Sequence, residues 1–569
     1  MRRVLLTAGV AAAALALPSA AWAHAALLKT FPAASAEVDT PPTEVRLVYD
    51  EVVEPRFAIV SVTDAAGHQQ VDATVHRSAT NPYELDAPLR HVAEGSYLVF
   101  WRVISADGHP VRGVFVFRVG PNPGPPPQFV IPSLSETAVT PLLITLRWLT
   151  FVSLLGAIGL FVLRTVVARP VVARVEGTRL RAISVSFGLA LAVALVSTPL
   201  YVLAATAQFA LRSFWSFGAL VPLMSVSAFG RGYLRLELLL ALFAAAGAAA
   251  IWLDRPERPK RSVAGLLSLW GALLAAGATL VVPGAAGHAA QTSPRALALA
   301  LDWFHLAAGS VWLGGLAGLL VLWKSLPPAR RTAGLAVCVP RLSNTAFVSV
   351  MVLLGSGVGA AVLHLPTLAA LWQTSYGKTI LVKAGILLAA MLVASVNLLR
   401  TKPALSRADT APAAATLLRR LVGVEVVLVT GAVLAAAVLS SLAPPPKALA
   451  SIGAVTAHTG PGPVATVAEH AGYRVEIRVT PNKVAVPDDF AVKLTRDGKP
   501  VRSATVIATL AMLDMEMPNQ AYRLAERSPG LYEHSTAALV MVGHWGLTFD
   551  VEPPGAQPFT VVLVDRANG

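Results

Sequence analysis

The chain has 569 residues, of which 55% are hydrophobic, and its mean hydropathy is +0.62. These values exclude a protein built only of ordinary soluble domains and predict that most of the chain lies in a lipid bilayer. The formal net charge is +14, but no soluble segment carries a basic stripe interleaved with aromatic residues, so we expect no nucleic-acid partner. The single cysteine, Cys338, excludes an internal disulfide and leaves His, Met, Asp and Glu as the residues for metal binding.

Residues 1–23 have the features of a secretory signal peptide. Two arginines precede a short apolar run that ends in the small-residue sequence AWA at 21–23. Cleavage after Ala23 would make His24 the first residue of the mature chain. The signal peptide also predicts that the domain after it lies outside the cytoplasm.

A β-sandwich is predicted over residues 24–119. Short strand-like runs such as EVRLVYD, FAIVSVTD and VRGVFVFRV alternate with Pro, Gly, Asn and Asp. A proline-rich linker at 120–137 follows this domain.

Eight apolar segments then predict a membrane domain of eight helices over residues 138–443. The segments lie at about 140–163, 182–208, 233–253, 263–284, 299–323, 342–365, 378–399 and 420–443. The connections after the first, third, fifth and seventh helices are rich in arginine and lysine, which predicts that they face the cytoplasm. We therefore expect a multi-pass protein of a bacterial cytoplasmic (inner) membrane with both ends of the mature chain on the outer, periplasmic side.

Two short sequences suggest an internal repeat. SAFGRGYLR at 227–235 precedes the third helix, and TSYGKTILVK at 374–383 precedes the seventh. Their similarity suggests two four-helix halves that run in the same sense. The alternative is that the starts of two amphipathic helices are similar by chance.

The last part of the chain is again rich in strand-like runs. After a linker at 444–469, runs such as RVEIRVTP and FTVVLVD predict a second β-sandwich over residues 470–569. The predicted fold is a multidomain membrane protein with an N-terminal β-sandwich, an eight-helix all-α transmembrane bundle and a C-terminal β-sandwich.

An N-terminal histidine suggests a metal site. The α-amine and the imidazole of His24 form a chelating pair, and nitrogen and oxygen donors in tetragonal geometry favour Cu(II). Asp107 and His109 in the sequence SADGHP are two residues apart, so they point to the same side of an extended backbone. The alternative is that DGHP is only a polar turn between two strands.

The sequences HAALLKTFPA, LVYDEVVEP and VISADGHPVRGVFVFRV resemble CopC, the periplasmic copper-binding β-sandwich, over residues 24–119. The resemblance implies that His24, Asp107 and His109 bind Cu(II). Some CopC proteins also have a methionine-rich Cu(I) site, but this domain contains no methionine. The resemblance therefore implies a Cu(II)-only domain.

The membrane segment resembles CopD, the membrane partner of CopC, most clearly in GHAAQTSPRALALALDWFHLAAGSVWLGGL and in the region of the seventh helix. Ionisable residues in lipid are costly and indicate function. Four such residues are predicted to converge at the outer end of the bundle as a copper path: His288, Asp302, His305 and His364. The alternative is that Asp302 simply pairs with His305 to hold helices together.

Other membrane residues have two interpretations each. Met351 and Met391 are soft donors suited to Cu(I), or they pack in the bundle. Lys383 is expected to neutralise Glu237 or Glu425.

A methionine-rich stretch in the C-terminal domain resembles a YtkA-like domain, a small β-sandwich. It contains candidate Cu(I) ligands, namely Met512, Met515, Met517, Met541 and His544. The alternative is that these methionines fill gaps in a core.

Taken together, these features predict copper binding outside the membrane and copper transport across it, in the uptake direction. The expected partners are copper ions, the bilayer and periplasmic copper chaperones or a reductase, since Cu(II) in the first domain and Cu(I) deeper in the protein differ by one electron. The alternatives are copper sequestration or resistance without transport, and a b-type cytochrome with His305 and His364 as haem ligands. The sequence contains neither a phosphate-binding loop nor a nucleophile–base pair, so we expect no enzyme activity.

Overall fold

The computed structural model describes most of the chain. The described residues are 25, 27–34, 36–105, 110–124, 140–258, 260–290, 292, 294–365, 367–368, 370–407, 409–442, 455–484, 486–513, 519–540 and 543–568. Several predicted features lie outside them: the signal peptide, His24, Asp107, His109, Met515, Met517, Met541 and the side chain of His288. The described residues form two compact units, one with the helices and one with both β-rich domains.

The N-terminal domain consists of two four-stranded sheets, which confirms the predicted β-sandwich. Its strands are β1 (Leu27–Phe31), β2 (Glu37–Val38), β3 (Glu44–Tyr49), β4 (Ile59–Thr63), β5 (His76–Arg77), β6 (Glu84–Pro88), β7 (Gly95–Ile104) and β8 (Pro110–Val119). The strand orders are β1-β3-β6-β5 and β2-β8-β7-β4. Alternate residues of β3 are buried, as expected for a strand with one face on a core.

Trp101 on β7 anchors this core. Its ring lies edge-on to Tyr49 with 5.7 Å between the ring centroids. Gly113 is its cross-strand neighbour on β8, where a Cβ atom would lie 2.6 Å from the indole. Glycine at this position therefore gives the indole the space it occupies.

The described residues include eight helices long and apolar enough to cross a membrane, as predicted. We label them α1 (Pro141–Val162), α2 (Arg181–Phe209), α3 (Ala228–Leu253), α4 (Val263–Thr279), α5 (Arg295–Ser325), α6 (Arg331–His364), α7 (Ser375–Val396) and α8 (Ala411–Leu439). Shorter helical segments precede or follow them, among them Phe217–Val226, Val281–Ala285, Ala370–Gln373 and the π-helical Asn397–Thr401.

The bundle is built from sequential helix pairs. Successive helices pack as the pairs α1–α2, α3–α4, α5–α6 and α7–α8, and α1 also packs against α5. Ser227 caps α3 by accepting a hydrogen bond from Gly230 N, and Thr374 caps α7 in the same way from Gly377 N, each at 2.9 Å. Ser262 caps α4 by the same contact with Gly265 N at 3.1 Å, so this cap does not distinguish a repeat, and the two four-helix halves stay a prediction.

The contact between α1 and α5 is made by small residues. A Cβ atom on Gly159 would lie 1.9 Å from the Ser310 carbonyl oxygen, and one on Gly314 would lie 2.4 Å from Gly159 Cα. Such close backbone approach is typical of packed membrane helices.

The C-terminal domain is β-rich, as predicted. Its strands are β9 (Ala457–Thr459), β10 (Val464–His470), β11 (Tyr473–Thr480), β12 (Asp488–Arg496), β13 (Lys499–Pro500), β14 (Thr505–Met512), β15 (Gln520–Ser528), β16 (Leu531–Thr536), β17 (Gly543–Glu552) and β18 (Phe559–Ala567). The main path is β10-β11-β12-β16-β15-β14-β17-β18-β9. One part of β15 pairs with β14 and the other with β16, so this strand joins the two groups of strands.

Candidate functional site

A chain of hydrogen bonds surrounds His305 in the second half of the bundle. Lys383 Nζ on α7 donates to His305 Nε2 at 3.2 Å. His305 Nδ1 lies 3.3 Å from Ser356 Oγ on α6, and that hydroxyl donates to Val352 O at 2.6 Å. Because the hydroxyl proton is used for Val352, we assign the imidazole proton to Nδ1, which donates to Ser356. The imidazole therefore links three helices.

Asp302 supplies a negative charge one helical turn away. It interacts electrostatically with Lys383, while His305 bonds to Lys383 and Ser356 rather than to Asp302. Two glycines give these side chains room. A Cβ atom on Gly284 would lie 2.4 Å from Asp302 Oδ2, and one on Gly357 would lie 3.2 Å from the His305 ring. Lys383 thus interacts with both residues, with His305 by a hydrogen bond and with Asp302 electrostatically.

His364 lies in a separate environment at the end of α6. Its Nδ1 donates to Ala360 O at 2.7 Å, and its Nε2 lies 3.2 Å from Thr292 Oγ1. Its ring stacks on Tyr376 with 6.4 Å between centroids. Both ring nitrogens of His364 and of His305 thus have partners in this structure, so no geometry here favours the two as a pair of haem ligands.

Among the described residues, no group of three or more His, Cys, Asp or Glu side chains is arranged to hold a metal ion. Methionine, which binds soft ions, is not one of these four residue types. The copper path through His288, Asp302, His305 and His364 stays a prediction.

A cavity of about 230 Å³ lies among α5, α6, α7 and α8. Most of its lining is apolar. Its sulfur and polar side chains come from Ser343, Met351, Met391, Ser395, Asn397 and Glu425. The structure therefore brings the two methionines singled out in the sequence to one cavity together with a carboxylate.

The cavity lies deeper along the helices than the His305 cluster. On α6, Met351 is five residues from Ser356, or about 7.5 Å at the α-helical rise of about 1.5 Å per residue. On α7, Met391 is eight residues from Lys383, or about 12 Å at the same rise. The two groups of side chains thus lie at successive depths along the same helices.

Glu425 is paired differently from the expectation. It is 2% exposed and accepts a hydrogen bond from Asn397 Nδ2, whereas Lys383 bonds to His305. The expected neutralisation of Glu237 or Glu425 by Lys383 is therefore wrong. Asn397 begins a π-helical segment, and its Oδ1 has no hydrogen-bond partner among the described residues. A mostly apolar cavity with a few polar groups is typical of a ligand site, and π-helical turns are frequent at functional sites.

A buried cluster of charges lies in the first half of the bundle, where α1 and α3 end. The sequence analysis missed it. Asp254 binds Arg164 at 2.9 Å, Arg169 at 3.0 Å and Arg261 at 3.7 Å. The available signal was an acidic residue at the end of α3, directly before a connection rich in arginine and lysine. Arg147, near the other end of α1, donates to Tyr201 at 2.9 Å.

The N-terminal β-domain has a buried contact next to the predicted Cu(II) ligands. Ala25 N donates to Ser105 Oγ at 3.2 Å, and Ser105 Oγ donates to Glu51 Oε1 at 2.7 Å. Ala25 directly follows His24, and Ser105 directly precedes the segment 106–109. Sequence reasoning missed both Ser105 and Glu51.

Three family models match the chain in succession. The CopC domain matches residues 27–120, Copper resistance protein D matches 336–439, and YtkA-like matches 468–550. The chain is also 25% identical over 553 residues to the Copper transport protein CutJ of Bacillus subtilis (strain 168), which covers 94% of this chain and 95% of CutJ. The chain joins CopC, CopD and YtkA-like domains, in that order.

Further relatives match the CopC domain. Copper resistance protein C of Xanthomonas campestris pv. juglandis is 32% identical over 124 residues, which is 21% of this chain and 96% of that protein. The solved structure of CopC from Methylosinus trichosporium OB3b has 35% identity, covers 18% of this chain and 98% of its own, and gives a TM-score of 0.17. The CopC domain implies copper binding, and the chain is related to copper transport and copper resistance proteins.

The YtkA-like domain contains two described candidates for Cu(I). Met512 on β14 is 2% exposed and belongs to the hydrophobic core, and it pairs across the strands with Trp545. His544 on β17 is the residue before Trp545 and pairs with Arg566. Burial of Met512 favours packing for this residue, and the Cu(I) assignment of the remaining methionines stays a prediction.

Proposed function

We propose that this protein takes up copper across the cytoplasmic membrane. The CopC domain captures Cu(II) outside, and the second half of the CopD-like bundle carries copper inward. The whole-length similarity to a protein named for copper transport supports the transport role. In this proposal both β-rich domains lie on the periplasmic side, as the basic connections after α1, α3, α5 and α7 indicate.

The capture step is supported by the contact at Ser105. The Ala25–Ser105 hydrogen bond fixes the start of the mature domain to the strand end before 106–109. Ile104 and Pro110 are paired across β7 and β8, so the intervening loop is short. His24 is the residue before Ala25, and the segment with Asp107 and His109 begins directly after Ser105. Because consecutive Cα atoms lie about 3.8 Å apart, the hydrogen bond keeps His24 and this segment near each other. We assign these three residues as the Cu(II) ligands.

The observation that carries the transport step is the cavity that holds Met351, Met391 and Glu425 at greater depth than His305. Thioethers suit Cu(I), and a carboxylate balances the single charge of that ion in a medium of low dielectric. A path needs successive sites of moderate affinity, because an ion that is held too tightly does not leave. We assign the His305 cluster and this cavity as two successive sites.

Lys383 regulates entry in this scheme. Since its ammonium group donates to His305 Nε2, copper binds that nitrogen only after Lys383 has moved away. Asp302 offers the lysine an alternative partner one turn along α5. The Cu(II) captured outside is reduced before it reaches the thioethers, and we assign that step to a partner reductase; no enzyme activity is assigned to this chain.

The test is copper accumulation in a strain that lacks this protein and is complemented with variants expressed to equal levels. The informative variants are an alanine inserted before His24, His305→Ala and the double change Met351→Leu with Met391→Leu. Met224→Leu, outside the cavity and on a short helix in the first half of the bundle, is the matched control. We expect all three informative variants to lower cellular copper several-fold and the control to behave as wild type.

Other outcomes identify a different function. Higher cellular copper in the variants would indicate export, and unchanged copper with lost binding would indicate sequestration or resistance without transport. If the methionine variant alone transports normally, the cavity is not part of the path.

A further inference from the structure

The strongest unexplained feature of the C-terminal domain is a set of buried oxygen atoms without hydrogen-bond donors. Asn482, Asp488 and Asp565 are each 0% exposed. Among the described residues, Asn482 Oδ1, Asp488 Oδ2 and Asp565 Oδ2 have no hydrogen-bond partner. Buried polar atoms in folded proteins are nearly always paired, so three such acceptors in one place require an explanation.

Hydrogen bonds join the side chains of Asn482 and Asp565, and Asp488 is bonded to the backbone next to Asn482. Asn482 Nδ2 donates to Asp565 Oδ1 at 3.2 Å and to Gly462 O at 2.8 Å, which fixes the amide with its oxygen as the unpaired atom. Asp565 Oδ1 also accepts from Thr459 Oγ1 at 2.9 Å. Asp488 Oδ1 accepts from Lys483 N at 3.0 Å. The network uses one oxygen of each carboxylate and leaves the other open.

Protein cations balance the charges of this cluster only weakly: His544 acts on Asp565, and it lowers the pKa of that carboxyl by less than burial raises it. In the described part of the chain neither Asp488 nor Asp565 forms an ion pair with lysine or arginine. Burial raises the pKa of Asp488 to about 7, and repulsion from Asp565 adds to this effect. Burial also raises the pKa of Asp565. Two buried carboxylates without a lysine or arginine partner are costly, and a bound cation lowers that cost.

We propose that Asn482, Asp488 and Asp565 form a calcium site that fastens the end of β11 and the start of β12 to β18. The donors are all oxygen, which selects a hard cation over copper, and two carboxylates match a divalent charge. Calcium accepts six to eight oxygen ligands in irregular geometry, whereas magnesium requires near-octahedral geometry and retains water. The site is independent of the copper function.

The test measures calcium bound to the full-length protein in detergent, after treatment with a chelator, by equilibrium dialysis against radioactive Ca²⁺. We expect wild type to bind one more Ca²⁺ per chain than Asp488→Asn or Asp565→Asn. Asp489→Asn is the matched control, because Asp489 is the next residue on β12 and its side chain is exposed. Equal binding by wild type and the two site variants would overturn the proposal.

A second measurement needs no variant. Calcium at millimolar concentration is expected to raise the melting temperature of the wild-type C-terminal domain by several degrees, and the same concentration of magnesium by much less. If chelator, calcium and magnesium give the same melting temperature at pH 8, the acceptors are satisfied by protons or water and the calcium site does not exist.

Discussion

Replacement of Asp254 by asparagine is expected to destabilise the helical bundle strongly. Asp254 Oδ2 accepts from Arg164 Nη1 at 2.9 Å, and the two side chains are only 3% and 6% exposed. Asp254 Oδ1 accepts from Arg169 at 3.0 Å and faces Arg261 at 3.7 Å. One carboxylate therefore balances three guanidinium groups, and its loss leaves them facing each other without a counter-charge.

The magnitude follows from burial. Removal of one partner of a buried ion pair costs about 3–5 kcal/mol, because the remaining charge stays desolvated. The chain offers a control of equal geometry, since Arg330 and Glu176 also lie 2.9 Å apart but are 50% and 87% exposed. An exposed pair contributes about 0–1 kcal/mol, so Glu176→Gln is expected to have almost no effect.

The assay is equilibrium unfolding of the full-length protein in mixed micelles, followed by the loss of helical structure as the denaturing detergent increases. We expect the free energy of unfolding to fall by about 3–5 kcal/mol in Asp254→Asn and by less than about 1 kcal/mol in Glu176→Gln. If the free energy of unfolding falls by the same amount in the two variants, burial does not determine how much this cluster stabilises the bundle, and the prediction is wrong.

Three further predictions concern packing and ionisation. Gly314→Ala is expected to cost about 1–3 kcal/mol in the micelle assay, because the added methyl meets the α1 backbone, while Gly156→Ala, with open space around it, is expected to be neutral. Gly113→Ala is expected to lower the melting temperature of the CopC domain by roughly 5 °C or more, because a Cβ atom there meets the Trp101 indole; an unchanged melting curve would contradict this. Burial and neighbouring Glu44 raise the pKa of Asp86. The protonated carboxyl is therefore favoured in the folded state, and this contribution to stability is lost as the pH rises through that pKa. We expect Asp86→Asn to have a higher melting temperature than wild type at pH 7 and the same melting temperature at pH 3.

The parts of the fold that depend on local periodicity were predictable. Alternating burial along β3 and long apolar runs in the helices are visible in the sequence, and both kinds of element formed where expected. The starts of α3 and α7 were predictable for a more specific reason. Ser227 and Thr374 each precede a glycine by three residues, and a side-chain cap at that spacing fixes where a helix begins.

The partners of the membrane charges were not predictable. Apolar helices carry little periodic signal, so the sequence does not fix which face of α7 meets which neighbour. Lys383 was expected opposite a glutamate and instead meets His305. Glu425 instead meets Asn397, which begins a π-helical segment. A π-helical turn holds more residues than an α-helical one, so it changes the direction of the side chains after it in a way that a regular period does not reveal.

Helix packing also explains why the proposed path lies in the second half of the bundle and not between α1 and α5. At the contact between α1 and α5, Gly159 approaches Gly314 so closely that even a methyl group has no space, which closes that seam to an ion. In the first half, α1 and α2 are joined by a buried hydrogen bond from Thr150 to Ser197 at 3.0 Å, a neutral contact. In the second half, α5 and α6 are joined by a contact that includes His305, with the cavity deeper along the same helices. In the proposed scheme the first half of the bundle thus serves as support and the second half provides the metal donors.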